Sequence, residues 1–322
     1  MSDLDYTFAV ARIRVKENSL LTDMDISQMI SMQDDKAVLS YLKDRGWGDT
    51  DTETAEEVLA SEEKKTLQLM KELKIEQSAF DLLSYPNLYH NLKAAIKEVC
   101  TSDQNPGAFY DMERYGRKEM LQIVSERDWH ALPEHMRACA ERAMDVMLKA
   151  RDGQMCDVYI DRACLDAMKA AGRKSKNELL RNYIESTVAV ADIKTAVRAL
   201  KTGKNRAFLN EALAAADTLD AGRLAVAASE SEEALHAYLE SHGYSEASEA
   251  LKESPSAFER WCDNRLIDTI RPEKRNPFSM GPVIAYYLAR QNEIRTVRIL
   301  LTAKANGFSE EETRERVRKM YV

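Results

Sequence analysis

The sequence predicts an all-α protein made of three similar helical domains. Three observations predict it. Glycine (11) and proline (7) are scarce for 322 residues. Apolar residues recur at three- and four-residue steps nearly end to end. Two kinds of short box return about 100 residues apart. Sheet proteins use glycine and proline at many turns, so their rarity favours helices joined by short loops. No run of alternating β-branched residues sits between turn signals, which leaves no strand to propose.

The elements follow from spacing. Thr52 is placed to cap a long helix from about Glu53 to Leu83, with Leu59, Leu67, Met70, Leu73 and Phe80 as its apolar stripe and Tyr85-Pro86 as its stop. Pro133 stands where a second helix begins. That helix runs to Ala150 with Met136, Cys139, Ala140, Ala143 and Met147 on one side, and Gly153 follows it. Ser175 precedes a third long segment, in which Leu180, Tyr183, Ile184, Val188 and Ala191 share a face.

The repeats set the architecture. Ala37–Trp47 reads AVLSYLKDRGW and Ala234–Tyr244 reads ALHAYLESHGY. In each, a short helix buries its aliphatic and Tyr-Leu positions. Gly46 or Gly243 then ends it in a left-handed conformation, and the next aromatic folds back. Met29-Ile30-Ser31 and Val226-Ala227-Ala228 precede these copies, and Gln122-Ile123-Val124-Ser125 with Trp129 is a weaker third. A second box reads Asn91-Leu92-Lys93 before Ile96-Lys97, then Asp192-Ile193-Lys194 before Val197-Arg198. Its third copy lies in Glu293-Ile294-Arg295-Thr296-Val297-Arg298, where two registers fit. The expected domains are 1–115, 116–218 and 219–322. Three such units suggest a pseudo-threefold body with a central hollow, although an open solenoid satisfies the repeats equally.

Composition excludes several classes of function. With 44% hydrophobic and 31% charged residues the chain packs a core instead of remaining disordered. A net charge of −8 argues against nucleic acid, whose phosphates call for a basic face. Met1-Ser-Asp-Leu-Asp-Tyr6 has no basic start followed by an apolar block, so no signal peptide is expected. No stretch approaches the ~18 apolar residues of a membrane span, so any membrane association runs through partners. The five cysteines are odd in number and form no CxxC pair, which reads as reduced, mostly buried thiols.

Chemistry is sparse. His130 and His135 are five residues apart with Pro133 between them, against the four-residue helical step of zinc ligands. His236 and His242 fall within a repeat whose other copy has Ser40 and Arg45, which suggests surface positions. Asp34, Asp35, Glu230, Glu232 and Glu233 sit where a short helix starts, where carboxylates favour the helix dipole. No phosphate loop, GxGxxG or GxSxG occurs. No catalytic residue, cofactor or metal is expected. The recurrent cations Lys93, Lys194 and Arg298 are the remaining candidates, and they either brace their own domains or face a partner.

Both ends carry a resemblance. Tyr6-Thr-Phe-Ala-Val-Ala-Arg-Ile-Arg-Val-Lys-Glu-Asn-Ser-Leu-Leu21 resembles the opening helix of the family formed by the C and d subunits of V-type and A-type ATPases. The segment from Gly281-Pro-Val-Ile-Ala-Tyr-Tyr-Leu through Ser309-Glu-Glu-Glu312, closing on Met320-Tyr321-Val322, is similar to that family throughout. Asp192-Ile193-Lys194 resembles its middle motif. Asp192 and Thr296 depart from it, standing where asparagine is commoner. The resemblance implies three all-α domains around a funnel-like hollow and no catalytic or metal residue. It further implies a non-catalytic rotor subunit, one per complex, on the cytoplasmic face of the membrane. Its partners would be the proteolipid ring and the central shaft made of the D and F subunits, and it would couple ATP hydrolysis or synthesis to proton or sodium transport. The competing readings are a soluble helical-repeat adaptor, and a helical hydrolase or metalloenzyme using His130, His135 or a cysteine.

Overall fold

In the computed structural model, residues 3–73, 77–277 and 279–322 are described, and every regular element among them is helical. Residues 1 and 2, at the head of the segment from which no signal peptide is expected, lie outside the described residues, as do residues 74–76 inside the helix expected from 53 to 83.

In chain order the helices are α1 (Asp3–Glu17), α2 (Asp23–Ser31), α3 (Asp35–Asp44), α4 (Ala55–Glu72), α5 (Gln77–Leu83) and α6 (Tyr85–Thr101). Then come α7 (Arg117–Glu126), α8 (Glu134–Ala150), α9 (Gly153–Lys174), α10 (Glu178–Lys201) and α11 (Arg206–Ala212). The remainder are α12 (Ala221–Glu230), α13 (Glu232–Ser241), α14 (Ser245–Glu253), α15 (Pro255–Ile270), α16 (Gly281–Ala305) and α17 (Glu310–Arg316). The order recurs. Two short elements, two further helices and a helix of 17 to 25 residues follow one another as α2–α6, as α7 with the 3-10 turn Trp129–Ala131 through α10, and as α12–α16, the last with an added 3-10 turn, Arg271–Arg275, before α16.

Local chemistry explains the boundaries. Thr54, not Thr52, caps α4: its side chain accepts from Glu57 N and the Glu57 carboxylate returns the bond. The Thr52 hydroxyl is occupied with the Asp49 carbonyl at 2.8 Å, which shapes the preceding turn. Tyr85-Pro86 ends nothing by itself; it opens α6, where the missing proline N–H has no partner to lose. Ser175 ends α9, and Asn177 caps α10 by accepting from Leu180 N at 2.9 Å. Asp34 caps α3 at 2.8 Å, so this acidic residue serves the helix start.

Packing divides the chain into two units. The first comprises residues 1–77, 177–186 and 243–322. Its core sets Ile294, Val297, Leu300 and Leu301 of α16 against Ile26, Met29 and Ile30 of α2, Val38 and Leu42 of α3, and Val58 and Leu59 of α4. Each such fully buried aliphatic contributes roughly 1.5–3 kcal/mol. α16 is buried along nearly its whole length, which explains why it lacks a polar face. Leu67 does not join this core; it is 49% exposed, while Glu62 and Thr66 of the same helix are buried.

The second unit comprises residues 78–176 and 187–242. Here α9 packs on α6 and α8. Its core includes Leu92, Ile96, Met136, Ala140, Ile160 and Met168. The predicted α8 stripe is buried as expected except for Cys139, which is half-buried. All five cysteines are free thiols, and burial pushes those of Cys139, Cys156 and Cys164 up to about 12, so they are inert packing groups. No described helix is long and apolar enough to cross a membrane.

Candidate functional site

The recurrent boxes are the features most in need of a physical reading. In the first kind, Gly46 and Gly243 have φ of +84° and +81°, the left-handed conformation the repeat predicts. Trp47 N–H then returns to the Leu42 carbonyl at 3.0 Å and the indole is buried. The weaker third copy closes the same way without glycine. Arg127 takes φ +53°, and Asp128 N–H reaches the Ile123 carbonyl at 3.0 Å.

The box tyrosines have a task that sequence does not disclose. Tyr41 donates its hydroxyl to Asp25 near the start of α2 at 2.8 Å. Tyr238 donates to the Asp220 carbonyl at the start of α12 at 3.0 Å and accepts from Asp220 N at 2.9 Å. Each therefore pins its short helix to the beginning of the helix before it. The residue preceding the glycine covers the ring in both: the Arg45 guanidinium lies 5.5 Å from the Tyr41 centroid, and the His242 ring stacks on Tyr238 at 4.0 Å. Burial alone would raise the Asp25 carboxyl, but the Thr22 N–H, the Tyr41 hydroxyl and Arg45 hold it below the usual carboxylate range.

The second box contributes a buried oxygen in mid-helix. Asn91 of α6 is fully buried; its Oδ1 accepts from Tyr110 N at 2.8 Å, and its Nδ2 donates to the Tyr110 and Tyr115 carbonyls at 3.0 and 3.1 Å. Asp192 of α10 is fully buried; its Oδ1 accepts from Ala214 N at 2.8 Å. Glu293 of α16 is 1% exposed and accepts from Leu21 N. Each polar head thus takes a backbone N–H from an irregular segment that would otherwise be buried unpaired. This behaviour favours the register beginning at Glu293, since among the described residues the Thr296 hydroxyl bonds its own helix at Asn292 O, 2.8 Å.

The candidate cations fall on three different helices. Lys93 of α6 pairs with Asp161 of α9 at 2.7 Å, and Lys97 one turn on pairs with Asp157 at 2.7 Å, so two rungs join these helices. Lys194 of α10 is half-buried. Arg298 of α16 donates to Glu56 of α4 at 2.7 Å and lies 3.7 Å from Glu63. Lys93 and Lys194 belong to the second unit and Arg298 to the first. In the Glu293 register the box cation is Arg295, which meets Asp263 at 3.3 Å.

Sequence reading missed the buried pairing of Glu62 with Arg290. Arg290 of α16 donates to both Glu62 of α4 and Glu293, all at most 8% exposed, and its guanidinium lies 5.0 Å from the Trp47 ring. Glu62 also accepts from Gly48 N at 3.0 Å and from Lys65 at 2.8 Å. The signal was present: Val58, Glu62, Thr66 and Met70 follow one another at four-residue steps, which puts a carboxylate on the buried stripe. The histidines also differ from expectation. His236 is not a surface group; only 13% of its side chain is exposed, and its Nε2 lies 3.7 Å from Glu232 one turn back. The His135 ring stacks on Tyr85 at 4.5 Å, with Nδ1 2.9 Å from the Tyr89 hydroxyl.

The first unit has two shallow grooves of about 260 and 320 Å³, which share Arg260, Asn264 and Lys319. Of the cations they share, Arg260 holds the Glu315 carbonyl at 3.0 Å and Lys319 holds Asp268 at 2.6 Å. Carboxylates, amides and hydroxyls throughout these boxes thus fasten one segment to another, an arrangement that holds a shape.

Comparison with known proteins gives the family. Residues 9–316 match the family described as ATP synthase (C/AC39) subunit. The chain is 21% identical over 268 residues to the C subunit of the V-type sodium ATPase of Enterococcus hirae, covering 82% of this chain and 81% of that one. It is 29% identical over 150 residues to the C subunit of the A-type ATP synthase of Haloquadratum walsbyi, covering 43% of each. With the family match running over almost the full helical array, the chain belongs to the ATP synthase C/AC39 family, the C subunits of V-type and A-type ATPases.

Proposed function

We propose that the chain is the non-catalytic central-rotor component of a V/A-type rotary ATPase, a socket linking the shaft of D and F subunits to the membrane proteolipid ring. In this role it passes rotation between them and so couples ATP hydrolysis or synthesis to sodium or proton transport. It sits at the cytoplasmic face, one copy per complex, held to the membrane only through the ring. The three stretches 1–115, 116–218 and 219–322 act as similar modules around a hollow that receives the shaft.

The observation that carries this reading is the recurrence of one fastening plan. Tyr41 and Tyr238 pin paired short helices, and Asn91, Asp192 and Glu293 clasp irregular segments from mid-helix. A part that transmits torque must resist shear, and buried polar fasteners with defined geometry resist it better than apolar contact alone. Lys93 and Arg298 belong to the same bracing, because both join helices of their own unit, and Lys194 is assigned to it as the counterpart of Lys93 in the second copy of the box.

The test is purification of the tagged chain from its own membranes. The ring and the D and F subunits should come with it in fixed ratio, and high salt should weaken the association. Recovery free of ring and shaft, bound to other cytosolic proteins, would instead establish an adaptor. Charge reversal of Lys93, Lys194 and Arg298 together should lower stability. If shaft binding falls while the fold is intact, the cations face the partner.

A further inference from the structure

Asp192 and Asn91 stand at the same place in the repeat, yet one carries a carboxyl and the other an amide. Both head an aliphatic-Lys box, both are fully buried, and both accept a backbone N–H at 2.8 Å from the segment leading to the next short helix. They differ at the second atom. Asn91 Nδ2 donates to two carbonyls, whereas Asp192 Oδ2 is buried and meets no donor among the described residues. A carboxylate with one N–H for two oxygens, out of water, is a poorly compensated charge.

We propose that Asp192 is held as the neutral acid in the folded chain, a proton-bearing stand-in for asparagine, and that loss of this proton strains the clasp between α10 and the segment after α11. Proton release leaves a carboxylate on Oδ2 with nothing to receive its charge, and the chain relieves the cost by opening the clasp to water. Ala214, whose N–H is the clasped donor, is itself fully buried, so opening exposes this part of the second unit.

The charged neighbours do not reverse this. Asp166 of α9 acts with burial to favour the neutral form, while Arg162 and Lys169 of α9 oppose it. Arg162 is engaged with the Asn210 and Glu211 carbonyls at 2.7 and 3.2 Å, and Lys169 with Asp217 at 2.8 Å. Burial dominates and pushes the Asp192 carboxyl up to about 7, far above its value of 3.8 in an open chain.

The experiment is urea unfolding of the full chain from pH 5 to 9, comparing wild type with Asp192→Asn. Below about pH 7 the folded state keeps a proton that the unfolded chain has released, so stability falls as pH rises and levels off above the folded value. The advantage of Asp192→Asn should therefore widen with pH, approaching about tenfold in the unfolding constant per pH unit before it levels. Parallel pH profiles for the two proteins would overturn the proposal. A second readout is independent of how well the variant folds: the carboxyl carbon resonance of Asp192 in the wild type should titrate near neutrality, and titration near pH 4 would also overturn it. Asn91→Asp should install a similar slope in the first box; the absence of any new slope would count against equivalence of the two sites.

Discussion

Arg290 of α16 and Glu62 of α4, 228 positions apart, form an ion pair with both side chains at most 8% exposed. Glu293 shares the same guanidinium, and Trp47 covers it. Two carboxylates therefore depend on one cation inside the first unit. Arg290→Met removes it and leaves them buried without their partner, with Lys65 only at the edge of Glu62. A loss of about 3–5 kcal/mol is expected, measured as a lower urea midpoint with unchanged m-value. A loss below about 1 kcal/mol would mean that water reaches the carboxylates.

Removing the hydroxyl from either box tyrosine should have matching effects. Tyr41→Phe deprives Asp25 of one donor, and Tyr238→Phe strands the Asp220 N–H. Each should cost about 0.5–1.5 kcal/mol. Hydrogen exchange should speed locally, at the start of α2 in one variant and of α12 in the other. Uniform acceleration across the chain would contradict a local pin.

Two glycines are predicted to fail for different reasons. A Cβ on Gly46 meets nothing within 4 Å, so Gly46→Ala suffers only from its left-handed backbone, about 1–2 kcal/mol. A Cβ on Gly281 would meet the Glu273 carboxylate at the first turn of α16, and this flexible side-chain end would have to swing aside. Gly281→Ala should therefore be partly rescued by Glu273→Ala, whereas no side-chain change should rescue Gly46→Ala. Denaturant unfolding of the single and double variants decides this.

His135 should make the second unit sensitive to acid. Burial lowers its pKa below the usual 6.5, so the unfolded chain binds this proton more readily than the folded one. Stability is then complete above 6.5 and falls as pH drops through the folded value. His135→Gln should flatten this slope between about pH 7 and pH 5; an unchanged acid slope would assign it to other groups.

Most helices, their left-handed caps and most of the buried stripes of α8 and α10, with Cys139, Tyr183 and Ala191 only half-buried, were legible because they depend on residues at most five positions apart. Gly46 and Gly243 are cases in point, since each cap closes on its own short helix. The fasteners were less legible. Tyr41 and Tyr238 stood out as repeated apolar positions, but the acceptor at the preceding helix start lies 16 and 18 residues back in the chain. The pairing of Glu62 with Arg290 was not legible, because the partner of each lies 228 positions away on another helix.

By itself the sequence determined an all-helical chain, its left-handed glycine caps, its recurrent boxes and, through its two ends, its family. These rest on local periodicity and short-range hydrogen bonds, which each segment carries with it. Only the tertiary structure decided which polar groups went inside: Glu62, Arg290 and Glu293 as a triad, Asp192 with one oxygen unmatched, and Leu67 left outside. The physical reason is that burial belongs to a surface shared by two segments. A charge enters the core only where another part of the chain supplies its partner, and one segment read alone does not contain that partner.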